Sequence, residues 1–235
     1  MTHPVADGPV AGSPWPPIAD YAFLSDCEVS ALVAPSGNVE WMCVPRMDSA
    51  SIFGAMLDRD AGMFSLAPSD ARVPAGRRYI PGTNILETTW GTKTGWLIVR
   101  DVLLIGPWRH DRERSNTHRR SPTDYDAEHV LLRTLRCVNG TINVHMECDP
   151  IYDYGRAPAT WEYTGEGYEE CRATFAGHDL RLTLRSDLRL GIEASTVRAR
   201  TTMHDGDVAF VALSWGSDHD GPQSFEDAYE RLVRT

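Results

Sequence analysis

No run of apolar residues approaches the ~20 needed to cross a bilayer as a helix, so no membrane partner is expected. The opening stretch, MTHPVADGPVAGSPWPPIAD, lacks a charged segment followed by an apolar one, and no signal peptide is expected there. The five cysteines, Cys27, Cys43, Cys137, Cys148 and Cys171, are odd in number and include no CxxC. Most sit inside apolar runs, which reads as reduced core thiols of a cytoplasmic protein rather than a disulfide framework. Positive charge is scarce: 23 Lys and Arg stand against 33 Asp and Glu, a formal charge of -10. Phosphate-rich surfaces require local positive charge, so the balance argues against nucleic acid and leaves neutral sugars compatible.

Self-contained catalytic motifs are missing too. There is no G-x-S-x-G, no H-E-x-x-H, no P-loop and no G-x-G-x-x-G after a strand. The eight histidines are scattered, and no pair has metal-ligand spacing on a predicted helix. No metal site is expected, and the residues name no cofactor. His129 and His145 fall on predicted wet strand faces and read as surface residues.

What is present is a succession of short apolar runs separated by turn signals. With 235 residues, 42% hydrophobic and 24% charged, the chain has the material for one large core. Val29 to Ala34 and Val39 to Val44 flank Pro35-Ser36-Gly37-Asn38 as a hairpin, and Asn84 to Trp90 and Trp96 to Ile105 flank the turn from Gly91 to Gly95 in the same way. Val130 to Val138 and Thr141 to Asp149 flank Asn139-Gly140, the strongest short hairpin signal in the chain. Ile142, Val144, Met146 and Cys148 alternate with polar residues, as do Leu180, Leu182 and Leu184, which predicts half-buried antiparallel strands. Val208 to Trp215 is apolar on both faces and predicts a central strand. The fold class is all-β, an antiparallel sandwich with a few short helices.

Helical periodicity is weak over Ala50 to Leu57 and clear only over Ser224 to Val233. Ser224 is a natural N-cap, Glu226 and Asp227 suit the positive end of the dipole, and Phe225, Ala228, Tyr229 and Leu232 share a face. The pattern runs to Thr235 with no glycine stop, which reads as a linker helix severed from its continuation. Residues 1–17, rich in Pro, Gly and Ala, read as a flexible tail. Residues 107–126 mix arginines, histidines and acids without interleaved aromatics, and read as a long solvated loop rather than a nucleic-acid patch.

Carboxylates are the remaining chemistry. Glycoside hydrolysis uses two, about 5–9.5 Å apart across the sugar. Asp20, Asp26, Glu40, Asp48 and Asp153 stand near aromatics and loops, but spacing alone brings no two together. Capping turns and solvating loops is the alternative role for each.

Several spaced motifs carry a resemblance. They are Ile18-Ala19-Asp20-Tyr21, Asp26-Cys27, Ala31-Leu32-Val33, Gly37-Asn38-Val39-Glu40-Trp41, Pro45-Arg46-Met47-Asp48-Ser49, and Phe53 with Leu57-Asp58. Tyr79-Ile80-Pro81-Gly82-Thr83-Asn84, Leu86-Glu87-Thr88-Thr89-Trp90, Val99-Arg100-Asp101 and Tyr152-Asp153-Tyr154-Gly155-Arg156 continue it. In this order they resemble the opening of bacterial glycoside hydrolase family 15, which includes glucoamylase-like enzymes and actinobacterial trehalases. The Trp90 hairpin and the Pro107 to Asp126 segment look closest to the trehalase branch. Ser25, Glu40 and Met47 depart mildly from the family's usual Gly, Asp and Phe.

The resemblance implies a β-sandwich over residues 18–222, a linker helix starting in 223–235, and a partner absent from this chain, an (α/α)6 barrel that holds the two catalytic glutamates. It implies no catalytic residue here, an α-glucoside such as trehalose as the sugar, and maltose or longer α-glucans as alternative substrates. Trp41, Arg46, Asp48, Asp153 and Arg156 are the residues expected beside that sugar site. For Arg46 and Asp48 a local role stays open: Arg46 pairing a nearby carboxylate, and Asp48 or Ser49 capping a helix that starts near Ala50. Two other readings are a free-standing carbohydrate-binding module using Trp108, Trp161 and Tyr163, and a small complete glycosidase using Glu40 and Asp48. A sandwich that packs on a barrel should expose an apolar patch when alone, and a homo-oligomer is left open.

Overall fold

The computed structural model describes residues 15–71, 73–106, 127–216 and 221–235. One 3-10 turn (Ile18–Asp20) opens a series of strands: β1 (Ala22–Ser25), β2 (Ser30–Val33), β3 (Val39–Cys43), β4 (Ser51–Phe53) and β5 (Met63–Pro68). Next come β6 (Gly76–Tyr79), β7 (Leu86–Gly91), β8 (Gly95–Ile105) and the long β9 (Ala127–Asp149). A single turn, α1 (Tyr152–Gly155), leads to β10 (Ala157–Tyr163), β11 (Glu170–Phe175), β12 (His178–Ser186), β13 (Gly191–Glu193), β14 (Thr196–His204) and β15 (Val208–Trp215), and α2 (Phe225–Arg234) completes the series. Every pairing is antiparallel, as the alternation predicts.

One sheet holds β1 to β5 with β13, β14 and the second half of β9. The other holds β6, β7, β8, the first half of β9, β15, β12, β11 and β10. The core between them takes Leu24, Val33, Met42 and Phe64 from the first sheet and Trp90, Leu131, Leu182 and Trp215 from the second. This is the all-β sandwich. Ile142, Val144, Met146 and Cys148 are buried, as are Leu180, Leu182 and Leu184, and β15 is buried along nearly its whole length.

Two sequence expectations are corrected. Asn139-Gly140 is no hairpin; β9 continues through it without reversing and passes from one sheet to the other. Up to Arg136 it pairs with β15, and from Thr141 with β14. Gly140, at φ 71°, supplies the bend, and its missing side chain lets the backbone of Thr94 approach where a Cβ would sit 2.0 Å from the Thr94 carbonyl oxygen. The glycine serves close packing between strands rather than a chain reversal. Likewise Ala50 to Leu57 is not helical. Ser51–Phe53 forms β4, pairing Phe53 with Met42, because Ile52 and Phe53 bury more as a strand on β3 than a short helix could.

A buried charge ties the sheets together. Arg133 of β9 is fully buried, and its Nε donates to Asp101 Oδ1 of β8 at 2.8 Å. Its Nη1 donates to the Phe64 carbonyl at 2.8 Å and its Nη2 to the Gly37 carbonyl at 2.5 Å. Its guanidinium also lies 4.9 Å from the centre of the Phe64 ring. Desolvation of such a pair is offset only by this saturation of partners.

The final helix docks on the outer face of the second sheet. Ala228 and Leu232 pack against Ile85, Val102, Leu104, Val130, Leu132, Phe210 and Ala212. Ser224 accepts from the Asp227 amide, as its N-cap position predicts, and Arg231 and Arg234 reach Glu128 of β9 at 3.4 and 2.5 Å. The reading of residues 107–126 as a solvated loop and most of the expected tail lie outside the described residues.

Candidate functional site

Trp41 sits on β3 opposite Leu32, half-buried on the outer side of the first sheet. Its ring centre lies 6.4 Å from that of Tyr154, the planes tilted by 36°. Tyr154 belongs to α1, where Asp153 (φ 54°), Tyr154 (φ 56°) and Gly155 (φ 87°) are all left-handed. Two of the three are not glycine, and each costs about 1–2 kcal/mol in that conformation. Surrounding structure enforces it. Tyr152 bridges Ala157 and packs its ring edge-on to His178, while a Cβ on Gly155 would lie 2.9 Å from Ala61. The outcome is an exposed tyrosine held against a tryptophan, flanked by Asp153 and Arg156, whose carboxylate and guanidinium stand 3.4 Å apart. Strained residues cluster at ligand clamps and active sites, which makes this pair a candidate contact. Asp153 and Arg156 are the two residues of this turn expected beside a sugar site; Tyr154, which the structure sets against Trp41, was not among the expected residues, although the Asp-Tyr-Gly run was the available signal for a left-handed turn.

Arg46 and Asp48 lie in the loop after β3, beyond the cis Val44–Pro45 peptide. They form a two-pronged pair, Nε to Oδ1 at 2.9 Å and Nη2 to Oδ2 at 3.0 Å. Ser49 closes the loop by accepting from the Arg46 amide at 3.2 Å. Asp48 caps no helix, since β4 comes next, so that reading is corrected, while the local-carboxylate reading of Arg46 holds. The pair is 71% and 72% exposed and borders an open cleft of about 560 Å³ with Cys27, Glu28 and Met47.

The other carboxylates are held elsewhere. Glu40 is buried, 2.6 Å from Arg59 and 2.5 Å from the hydroxyl of Tyr21. Burial, and then the bond to Glu40, pushes the Tyr21 phenol well above its ordinary range. Glu40 is therefore no free acid, and no glycosidase pair forms from it and Asp48. Glu87 accepts from Arg78 and Arg100; burial alone would raise its pKa, but the two guanidinium bonds outweigh it and leave the carboxyl below its usual value. Asp26 is buried, with Oδ1 accepting the amides of Glu28 and Val29 and Oδ2 unpartnered among the described residues; burial raises its pKa.

Other readings change as well. Trp161 is a core residue whose Nε1 donates to the Ser195 carbonyl at 2.8 Å, so it offers no sugar-stacking face. Tyr163 is exposed, but its hydroxyl is bound between Leu190 and Ile192. Trp108 lies outside the described residues. His129 is no simple surface residue: its Nε2 is 3.1 Å from Glu28, and its ring is 5.9 Å from that of Trp215. Four cysteines are buried and Cys27 is exposed. Among the described residues no cluster of three metal-ligating side chains occurs, and no helix is long and apolar enough to cross a membrane.

Comparison with known proteins places these motifs. Residues 9–104 match a family described as trehalase-like, N-terminal. The trehalase of Mycolicibacterium smegmatis is 56% identical over 235 residues, which is 99% of this chain and 35% of that protein. The trehalase of Mycobacterium tuberculosis is 54% identical over 228 residues, 95% of this chain and 33% of its own length. Trehalase 1 of Sulfolobus acidocaldarius is 36% identical over 84 residues, 36% of this chain and 15% of that protein. The chain thus spans about a third of the length of its mycobacterial relatives.

Proposed function

We propose that this chain, whose residues 9–104 match a trehalase-like N-terminal family, is the sandwich portion of an inverting α-glucosidase that hydrolyses trehalose. The observation that carries this reading is where the motif carboxylates go. Glu40, Glu87 and Asp101 are all tied to arginines inside the sandwich, so they shape the domain rather than act on a sugar. In this reading the general acid and general base belong to the remaining two thirds of the protein, an (α/α)6 barrel of glycoside hydrolase family 15 type. The sandwich supports that barrel, and Trp41, Arg46, Asp48, Asp153 and Arg156 help enclose one glucosyl unit. An apolar groove beside α2, lined by Ile98, Val138, Val208, Phe225 and Tyr229, is consistent with a domain that packs on another.

The exposed Tyr154 ring beside the half-buried Trp41 also favours a second reading, a free-standing sugar-binding module, because ring faces stack on sugars without a catalytic partner. One experiment separates them. Glucose release from trehalose and from maltose is measured with the 235-residue chain alone and mixed with the separately made remainder of the protein. No release alone and release on mixing is the expected result, with the preferred sugar naming the substrate. Release by the chain alone would overturn the proposal, and saturable sugar binding without any rescue on mixing would favour the module.

A further inference from the structure

A second cleft lies on the outer face of the first sheet, and the trehalase reading gives it no role. Register places Ala67 of β5, His145 of β9 and Arg200 of β14 in one row across three adjacent strands. Ser65 flanks the row on β5, Ser69 comes directly after that strand, and Ser36 and Asn38 overhang from the turn before β3. Together with Pro68 and Ala71 they line an open cleft of about 570 Å³.

Three features set this cleft apart from an ordinary wet face. First, the side chains of Ser36, Ser65, Ser69, His145 and Arg200 make no hydrogen bond or ion pair among the described residues. Five neighbouring polar side chains with unused capacity are a prepared set of donors and acceptors. Second, no acid lines the cleft, and its one guanidinium, that of Arg200, makes no ion pair among the described residues. Glu147, on the neighbouring strand, is engaged by Arg198 at 3.0 Å, and Arg198 also reaches Glu193. Third, the volume falls within the roughly 300–1,000 Å³ typical of small-molecule sites, more than a bare ion requires.

We propose that the cleft formed by Ser36, Ser65, Ser69, His145 and Arg200 binds an anionic sugar, a sugar phosphate or a sugar acid. The planar Arg200 fork and a ring N–H of His145 take the oxyanion. The serine hydroxyls, each both donor and acceptor, take the sugar hydroxyls, and Ala67, Pro68 and Ala71 supply an apolar floor for the ring edge. The site is independent of the trehalase reading and of the Trp41–Tyr154 pair.

The test is titration of the full chain, monitored by calorimetry and by amide chemical shifts, with glucose 6-phosphate, gluconate, sulfate and glucose. Saturable binding of glucose 6-phosphate or gluconate is expected, at least tenfold weaker in Arg200→Gln and unchanged in Arg172→Gln, an exposed arginine of the other sheet. Which of the two binds tighter identifies a phosphate or a carboxylate as the preferred anion. Sulfate binding as tightly as either would overturn the assignment of a sugar. Equal binding of neutral glucose, unchanged affinity in Arg200→Gln, or no saturable binding of either anionic sugar would overturn the site. Arg200 is exposed on the sheet, so its replacement leaves the fold intact, and a thermal melt matching the parent confirms that a loss of binding is local.

Discussion

Tyr154 is held in a left-handed backbone, at φ 56°, with its ring 6.4 Å from that of Trp41 and nearly half its surface exposed. The sandwich therefore maintains a strained backbone to present a ring it does not bury. If the ring serves a sugar, Tyr154→Gly should separate stability from activity. Glycine releases about 1–2 kcal/mol of left-handed strain, and its greater unfolded freedom costs about 0.5–1 kcal/mol. The melting temperature should be unchanged or slightly higher, while kcat/KM for trehalose in the full-length protein should fall about tenfold, near 1.4 kcal/mol of lost transition-state stabilisation. Stability and activity falling together would assign Tyr154 a structural role.

For the Arg46–Asp48 pair, exposure decides the stability effect. At 71% and 72% exposed it should contribute only about 0–1 kcal/mol to folding. Asp48→Asn is expected to leave urea denaturation of the chain nearly unmoved. In the full-length protein it should raise KM for trehalose several-fold, because it frees Arg46 from the orientation the carboxylate imposes. An unaltered KM would remove the loop from the sugar site.

The opposite holds inside the sandwich. Arg133→Met leaves Asp101 buried without its partner and strips the Phe64 and Gly37 carbonyls of their donor. Breaking a buried pair from one side costs about 3–5 kcal/mol. Replacing Arg133 and Asp101 together, with Met and Leu, should recover part of that loss. A single variant within about 1 kcal/mol of the parent in equilibrium denaturation would mean that water relieves the site.

Asp26 predicts a pH dependence. Burial raises its folded pKa above the usual carboxylate value, despite two amide bonds that favour the charged form. Between the unfolded value and the raised folded value the native state holds the extra proton, so stability falls as pH rises through that window and stays lower above it. Asp26→Asn keeps an acceptor for the Glu28 and Val29 amides and cannot ionise. Its melting temperature should exceed the parent's at pH 7 and match it near pH 3. A lower melting temperature at pH 7 would show that the charged form is the one the fold favours.

Much of the strand layout was legible because alternation is a local signal. Inward positions such as Leu182 and Met146 declare themselves by period two, whatever they pack against. Arg133 lies in the inward series of Leu131, Leu135 and Cys137, but the sequence pattern did not single it out. Its carboxylate partner lies 32 residues away and one of its carbonyl partners 96. Asn139-Gly140 shows the reverse case. The dipeptide suits a two-residue reversal, but β8 was already in place to pair across it, so the glycine became a bend.

Local pattern in the chain was enough to specify the antiparallel sandwich, the capped helix over Phe225–Arg234 and the motif positions that match the trehalase-like N-terminal family. These rest on periodicity, capping and spacing, which act over a few residues. Long-range packing alone settled that Glu40, Glu87 and Asp101 would be held by arginines, that Trp161 would be buried, and that Tyr154 would meet Trp41. Those outcomes depend on which distant side chains share a low-dielectric interior. There a charge must find its counterion and an exposed ring must be held by its neighbours, and no local pattern encodes that partner.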